Sequence, residues 1–206
     1  MVHLPVSQKP MTWCDVETTG LNPDINDILD IAIIRVETDG TEIVFTSKVK
    51  MERPENAHPK ALEVNGYTEE GWASARPVGE VFQEIHDKKL LQDCILAGQN
   101  VGFDTAFINA TFKRLGIDAR VDYHLYDTVT VALMFLKPYL KSVSLVQVCV
   151  ALGLPIDNAH TALADCRMAM AVNNAILIAT PEERERWATE VPARLAAWEA
   201  QKAQSR

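Results

Sequence analysis

WCDVETTGL, residues 13–21, places two carboxylates, Asp15 and Glu17, two positions apart in an apolar stretch that predicts a β-strand. Side chains alternate along a strand, so residues i and i+2 point to the same face. Two like charges on one face repel each other, and burying either of them alone costs free energy. We therefore expect a positively charged group to lie between the two carboxylates.

The composition predicts one globular domain with a substantial core, because the chain has 206 residues, of which 48% are hydrophobic and 23% charged. No apolar run reaches the roughly 18 residues that a membrane span needs. The start of the chain, MVHLPVSQKP, lacks the charged leader and apolar stretch of a signal peptide. We therefore expect no membrane partner.

Cysteine spacing and net charge indicate the redox compartment of the protein and the kinds of surface that it can have. Cys14, Cys94, Cys149 and Cys166 are far apart and form no CxxC pair. This spacing favours reduced thiols in the cytoplasm over disulfides or a structural zinc site. The net charge of −8 argues against a broad basic surface for duplex nucleic acid. It leaves open a nucleic-acid substrate whose charge is met locally by metal ions.

The order of predicted elements indicates an α/β fold: a mixed five-stranded sheet with three antiparallel strands, then two parallel ones, and helices on both faces. The turn at Asp39-Gly40 favours an antiparallel meander for the first three strands. Strands are predicted at residues 11–17, 27–37, 42–51 and 94–100, and a fifth strand begins at residue 124 and continues into a helix that ends at residue 137. Further helices are predicted at residues 58–66, 78–90, 104–116, 144–154 and 161–179. A charged helical stretch follows from Pro181, which we expect Pro192 to interrupt.

Acidic residues stand at several of the predicted strand ends and helix starts. They are Asp15, Glu17, Asp104, Asp127 and Asp165. Open α/β sheets commonly place ligands near such ends, so these side chains are candidates for one shared site. Carboxylate oxygens are the ligands that Mg²⁺ and Mn²⁺ prefer, and a pair of such ions roughly 4 Å apart is used for in-line attack on phosphodiesters. A shared cation would cancel the repulsion between the first two carboxylates.

Three short motifs together resemble those of a known family. DVETTG (15–20), NVGFD (100–104) and HTALAD (160–165) resemble the three exonuclease motifs of the DEDDh, or DnaQ-like, 3′-to-5′ exonucleases, which have a ribonuclease H-like fold. The resemblance covers roughly residues 11–178, and the motifs stand in the family's order. It implies a ribonuclease H-like exonuclease domain over residues 1–180, with 181–206 as a charged helical tail packed on the same domain.

The resemblance also implies roles for individual residues. Asp15, Glu17, Asp104 and Asp165 would hold two divalent cations, Mg²⁺ or Mn²⁺, and His160 would be the general base for the attacking water. Histidine is the side-chain type that can accept a proton near neutral pH. The implied substrate contacts are the backbone of Thr18 and Thr19 at the terminal sugar, Leu21 as a wedge against the terminal base, Phe107 in the same pocket, and Asn65 and Asn100.

Each of these residues also has a purely structural interpretation. Asp15 and Glu17 would then be an exposed acidic strand end, and Asp104 the N-cap of the helix behind it. His160 would cap or pack at a helix start. Asp127 is at least as consistent with a strand-end cap as with a metal ligand. Leu21 and Phe107 would be core residues without the resemblance.

Three functional hypotheses remain. The first is a 3′-to-5′ exonuclease on single-stranded DNA, either free-standing or proofreading for a polymerase. The second is an exoribonuclease resembling ribonuclease T or oligoribonuclease, because Gln99, Asp30 and Asn65 depart from frequent family residues. The third is a non-catalytic nucleic-acid-binding subunit, against which the complete catalytic set argues. The tail would be available to a polymerase or to a second copy of the chain.

Overall fold

The centre of the fold is a mixed sheet whose strands run in the order β3-β2-β1-β4-β5. The computed structural model describes residues 5–119, 121, 123–156 and 160–204. The strands are β1 (Met11–Thr18), β2 (Ile28–Val36), β3 (Glu42–Lys48), β4 (Ile95–Gly98) and β5 (Leu125–Asp127). β1, β2 and β3 are mutually antiparallel neighbours, whereas β4 and β5 run parallel to β1. The predicted five-stranded sheet is therefore confirmed.

Helices cover both faces of this sheet. They are α1 (Pro59–Val64), α2 (Val78–Asp87), α3 (Val101–Leu115), α4 (Thr128–Leu136), α5 (Leu145–Leu152), α6 (Ala162–Ile178) and α7 (Pro181–Gln204), with short 3₁₀ helices at Val6–Gln8 and Pro54–Asn56. None of the helices in the described ranges is both long and apolar enough to cross a membrane.

Strand alternation in β1 decides which side chains meet which helix. Cys14 and Val16 are buried in the cluster that contains α2 and α3. Trp13 faces the opposite way, into a cluster with the small α6 residues Ala162 and Cys166. Since Asp15 and Glu17 share the odd-numbered face with Trp13, the two acids point toward α6.

β1 is longer than its parallel neighbour at the edge that matters for the site. The β1–β4 pairing ends at Trp13 opposite Ala97, five residues before the end of β1 at Thr18. β4 then turns away through Gly98, where a Cβ atom would lie 2.7 Å from the carbonyl oxygen of Cys14. The last part of β1 is thus left without a strand on this side.

α3 begins three residues before the predicted start at residue 104. Asn100 adopts a left-handed conformation, with φ of 58°, directly before the helix. Asparagine tolerates this conformation better than most residues, so the chain turns sharply from β4 into α3. Asp104 therefore lies in the first turn of the helix rather than at its N-cap, which is Asn100.

α7 continues without interruption through Pro192, so the predicted break at this residue was wrong. Trp187, Val191 and Leu195 recur every four residues and are buried against α4, α5 and α6. Pro192 and Ala188, whose carbonyl loses its helical partner, are both exposed to solvent. The apolar stripe holds the helix on the domain, and the unpaired carbonyl lies on the side that solvent can reach.

Candidate active site

Three carboxylates converge where the end of β1 meets the start of α6. One oxygen each from Asp15, Glu17 and Asp165 can be chosen so that all lie within 4.8 Å of one another. Asp15 and Glu17 come from one face of β1, and Asp165 comes from the first turn of α6. The exposed-strand-end interpretation of the two β1 acids is wrong, because both are only partly exposed and lie beneath a helix.

Small side chains on α6 allow this close approach. Ala162, Cys166 and Ala169 form the surface that packs on the sheet, and each is almost completely buried. The backbone N–H of Ala162 also donates to the carboxylate of Asp30 on β2, at 3.4 Å. The helix start is thereby bonded to the sheet beside the cluster.

Asp104 reaches β1 from the α3 side. Its side chain is buried, and its Oδ1 accepts a hydrogen bond of 2.9 Å from the backbone N–H of Val16. This N–H lies beyond the end of the β1–β4 pairing, so the carboxylate occupies the place of a strand partner. The N-cap interpretation of Asp104 is wrong, and its charge lies close enough to act on Asp15.

The electrostatics of the cluster disfavour ionised carboxylates in the absence of a cation. Burial raises the pKa of Asp15 well above its usual range, and the charges of Asp104 and Asp165 raise it further. Burial likewise raises the pKa of Glu17 to about 7, with the charge of Asp165 as the next cause. The cluster therefore holds more negative charge than its own surroundings can stabilise.

The two remaining acids are shifted in the same direction but are partly compensated. Burial raises the pKa of Asp104 to about 7, against the opposing effect of the hydrogen bond from Val16. Burial also raises the pKa of Asp165, while the hydrogen bond and charge of His160 lower it. Four oxygen-donor side chains with unbalanced negative charge fit a hard divalent cation.

His160 is exposed and sits directly before α6, whose N-cap is Thr161. Its backbone φ is 72°, in the left-handed region, and its N–H donates to Asp165 Oδ1 at 3.3 Å. The helix-capping interpretation of His160 is therefore wrong. The bond instead couples the position of His160 to one of the clustered carboxylates.

Asp127 has a structural role at the end of β5. Its Oδ1 accepts hydrogen bonds from the backbone N–H groups of Val129, at 2.9 Å, and Asn100, at 3.0 Å. The first bond caps α4, and the second ties the start of α3 to β5. The strand-end-cap interpretation is thus the correct one, and Asn100 contributes its backbone to this contact while its side chain is exposed.

Thr18 and Thr19 use their side chains to fix the backbone after β1. Thr18 donates through Oγ1 to the Gly20 carbonyl at 2.7 Å, and Thr19 Oγ1 accepts from the Asp27 N–H at 2.8 Å. Asn65 donates through Nδ2 to the Thr18 carbonyl at 2.9 Å. Asn65, predicted as a substrate contact, therefore lies behind the loop and supports it.

Leu21 and Phe107 occupy opposite environments. Leu21 is 85% exposed, whereas Phe107 is 1% exposed and belongs to the core. The structure buries Phe107 in the core, and its place in the pocket of the terminal base stays a prediction. Its neighbour Phe103, with ring centroids 4.9 Å apart, is the more accessible aromatic, and its position directly before Asp104 was the signal for it.

Comparison with known proteins identifies the family. The family model described as Exonuclease (RNase_T) matches residues 12–173, a span that contains the four clustered acids and His160. The chain belongs to this exonuclease family. Its motifs are those of the DnaQ-like, DEDDh-type 3′-to-5′ exonucleases, as the sequence resemblance indicated.

Among curated proteins, this chain is similar to a part of several bacterial DNA polymerases. It is 32% identical over 159 residues to the DNA polymerase III PolC-type of Thermotoga maritima, covering 77% of this chain. It is 30% identical over 165 residues to the DNA polymerase III PolC-type of Bacillus cereus, covering 79% of this chain. In both cases the match spans 11% of the polymerase.

Among solved structures, the fold is similar to that of exonuclease I. The TM-score is 0.71 at 22% identity, with 86% of this chain and 43% of the exonuclease I chain covered. A structure of E. coli exonuclease I in complex with a dT13 oligonucleotide gives a TM-score of 0.70, also at 22% identity. These similarities establish the shared fold.

Proposed function

We propose that this protein is a metal-dependent 3′-to-5′ exonuclease that releases nucleoside 5′-monophosphates from the 3′ ends of single-stranded DNA. The observation that carries the proposal is the convergence of Asp15, Glu17 and Asp165 within 4.8 Å, with Asp104 hydrogen-bonded to the same strand. Like charges are rarely buried together without a compensating cation. Because the three converging carboxylates lie at the end of β1 and are partly exposed, the 3′ end of a DNA strand can reach them.

The cation site of the proposal consists of Asp15, Glu17, Asp104 and Asp165, which would hold two ions of Mg²⁺ or Mn²⁺. Such ions, when bound, supply charge neutralisation for the phosphate and Lewis-acid activation. The raised pKa values of Asp15 and Glu17 support this assignment, because burial first and the neighbouring carboxylates second disfavour their charged forms, which a bound cation would stabilise. A zinc-ion-bound form of the E. coli exonuclease I complex with single-stranded DNA supports a divalent cation in this fold.

The remaining residues of the proposal act on the water and on the terminal nucleotide. His160 accepts a proton from the attacking water, and its exposed position at the start of α6 leaves the ring free to do so. Leu21 packs against the terminal base, for which its 85% exposure makes it available. The backbone around Thr18 and Thr19 meets the terminal sugar.

DNA is proposed as the substrate because the relatives point to DNA. The similar curated proteins are DNA polymerases, and the similar structures include exonuclease I bound to dT13 and dA16 oligonucleotides. Recognition of RNA would require a contact to the 2′-hydroxyl. The polymerase relatives also support a proofreading context, in which the partner would be a polymerase.

The proposal is tested with 5′-labelled single-stranded DNA and RNA of one sequence. Each strand is incubated with Mg²⁺, with Mn²⁺ and with EDTA, and in parallel with the Asp15→Ala protein. We expect a metal-dependent ladder that shortens from the 3′ end of DNA and is absent in the variant. Faster cleavage of RNA would replace the DNA substrate by the exoribonuclease alternative. No cleavage of either strand by folded protein would reject the enzyme and favour a binding subunit.

A further inference from the structure

Asp27 is a buried carboxylate that lies outside the acidic cluster. It is 3% exposed, and its Oδ2 accepts hydrogen bonds from the backbone N–H groups of Glu52, at 2.8 Å, and Arg53, at 2.7 Å. Its Oδ1 accepts from Arg53 Nε at 2.9 Å. Removing one partner from a buried, hydrogen-bonded ion pair is costly, because the remaining charge is left buried and unpaired.

The same residue holds the backbone that directly follows the acids of β1. The Thr19 N–H donates to the Asp27 carbonyl at 2.8 Å, and the Asp27 N–H donates to Thr19 Oγ1 at 2.8 Å. The Thr19 carbonyl in turn accepts from the His58 N–H at 2.7 Å. All three polar groups of Thr19 are therefore bonded to residues that frame the loop.

Arg53 makes hydrogen bonds to several residues of the loop that precedes β2. Besides its bond to Asp27, its guanidinium donates through Nη1 to the Asp24 carbonyl at 2.7 Å and through Nη2 to the Asn26 carbonyl. A planar guanidinium with several donors can fix several acceptors in one geometry, which a lysine cannot do. The Nη2 atom of Arg114, on α3, lies 3.7 Å from the same Oδ1 of Asp27. This ion pair links Asp27 to the helix that carries Asp104.

Asn26, whose carbonyl accepts a hydrogen bond from Arg53, packs its side-chain amide against Gly20. Its amide lies so close to this glycine that a Cβ atom there would be 2.5 Å from Asn26 Oδ1. The same Oδ1 accepts the Asn22 N–H at 2.9 Å, and Nδ2 donates to the Asn56 carbonyl at 2.7 Å. Leu21, between these points, is held in an ordered loop with its side chain 85% exposed.

We propose that Asp27 and Arg53 are positioning residues that set the Thr18–Leu21 backbone for the terminal nucleotide. This inference rests on the proposed function, in which that backbone contacts the terminal sugar and base. The loop is hydrogen-bonded at Thr18, Thr19 and the Gly20 carbonyl, and it presents the apolar side chain of Leu21 to solvent, where a base can pack on it. A misplacement of about 1 Å at such a contact lowers the rate by up to about 10²-fold.

The test compares wild type with Asp27→Asn, which keeps the side-chain shape but removes the charge that pairs with Arg53. Three quantities are measured well below the melting temperature: kcat/KM on a 5′-labelled oligothymidylate, the inhibition constant of thymidine 5′-monophosphate, and the Mn²⁺ concentration for half-maximal activity. We expect kcat/KM to fall about tenfold or more and the monophosphate to bind correspondingly more weakly. The Mn²⁺ midpoint remains that of wild type, because the cluster itself is intact.

Glu84→Gln is the matched control, since Glu84 is an ion-pairing carboxylate on α2 that contacts Arg76 and Lys88. We expect its three kinetic quantities to equal those of wild type. A matching loss of kcat/KM in this control would indicate general loosening of the fold and would overturn the proposal.

Two other outcomes would overturn the inference while leaving the exonuclease in place. They are kinetics of Asp27→Asn within twofold of wild type, or a loss of activity that is matched by a shift of the Mn²⁺ midpoint. If Asp27→Asn does not fold, Arg53→Lys decides by the same criteria, because it retains the charge but not the planar donors. Failure of the proposed function is seen separately, as an inactive wild-type protein, and would overturn both.

Discussion

Glu17 and Asp30 lie directly opposite each other on the antiparallel strands β1 and β2, so two acids share one face of the sheet. Like charges directly opposite each other destabilise a sheet. Burial is the main reason that the pKa of Glu17 rises to about 7, and the charges of Asp165 and Asp30 add to it. Asp30 also accepts the Ala162 N–H, so the repulsive pair is held in place by the start of α6.

The stability of the metal-free protein is expected to fall as the pH rises from about 4.5 to about 7. In this window the folded protein binds more protons than the unfolded chain, because folding raises the pKa values of the clustered acids. A cation that binds only the folded state offsets the loss. We therefore expect saturating Mn²⁺ to raise the melting temperature more at pH 8 than at pH 5.5, measured by thermal unfolding.

The control for this pH dependence is a pair of variants. Glu17→Gln removes one titrating group from the cluster and is expected to flatten the pH profile and reduce the gain from Mn²⁺. Glu199→Gln removes a carboxylate on α7 that pairs with Lys141. We expect this variant to change neither the pH profile nor the gain from Mn²⁺. An equal or larger gain from Mn²⁺ at pH 5.5 would contradict the assignment of the cluster as a cation site.

Asp15→Asn is expected to abolish nucleotide release while raising the melting temperature of the metal-free protein. The variant removes the carboxylate that four other acids repel, so the fold gains stability as the cation site is lost. Activity is measured with Mn²⁺, and stability is measured in EDTA. Turnover equal to that of wild type would reject the site, and a lower metal-free melting temperature would reject the electrostatic argument.

His160→Ala is expected to lower kcat by about 10²- to 10⁴-fold, the usual contribution of a general base. The affinity for Mn²⁺, measured by calorimetry, is expected to stay within about twofold of wild type, because this imidazole is not among the grouped oxygen donors. His160→Asn serves as the backbone control, since asparagine tolerates the φ of 72°. A loss of metal affinity as large as that of Asp15→Ala would contradict the base role.

Gly20→Ala is expected to reduce both stability and activity, because the added methyl group would overlap the Asn26 amide. Displacing that amide costs about 1–3 kcal/mol of unfolding free energy, as for other overpacked sites. Gly102→Ala is the control, since a Cβ there meets no atom within 4 Å and the residue lies in α3. Alanine favours a helix over glycine, so this control is expected to be neutral or stabilising in urea unfolding.

Trp187→Ala is expected to lower the unfolding free energy by about 3–5 kcal/mol, the usual loss for a buried tryptophan. Trp187 is 7% exposed and packs in the cluster shared by α4, α5, α6 and α7. Trp198 is only partly buried and contacts Lys202, so Trp198→Ala is expected to cost less. A negligible loss in Trp187→Ala, measured by urea unfolding, would show that the tail does not depend on this packing.

The sequence predicted the sheet because its order follows from local signals. Alternation in β1, the Asp39-Gly40 turn and the helical crossovers before β4 and β5 are all features of nearby residues. The three motifs likewise pointed to the four acids because each follows a strand or begins a helix. The path of the chain through these elements then brings Asp15, Glu17 and Asp165 together.

Other features depend on contacts between distant residues, which periodicity does not encode. Phe103 and Phe107 lie one turn apart on the same side of α3, so which of them is accessible depends on how deeply the core covers each turn. The support of Thr19 by Asp27 and Arg53 depends on a loop that returns from residue 53. The continuity of α7 through Pro192 depends on how Trp187 and Val191 pack against other helices.

The bond from Val16 to Asp104 has a practical consequence for trapping a substrate complex. Replacing Asp104 by alanine would remove a proposed metal ligand and also leave a buried N–H at the end of β1 unpaired, at a cost of about 1–3 kcal/mol. Such a variant would present a distorted strand to the nucleic acid, and its crystals would misrepresent the native geometry. Asp15 accepts no comparable backbone bond among the described contacts, so the Asp15 variant is the better inactive protein for visualising a bound 3′ end.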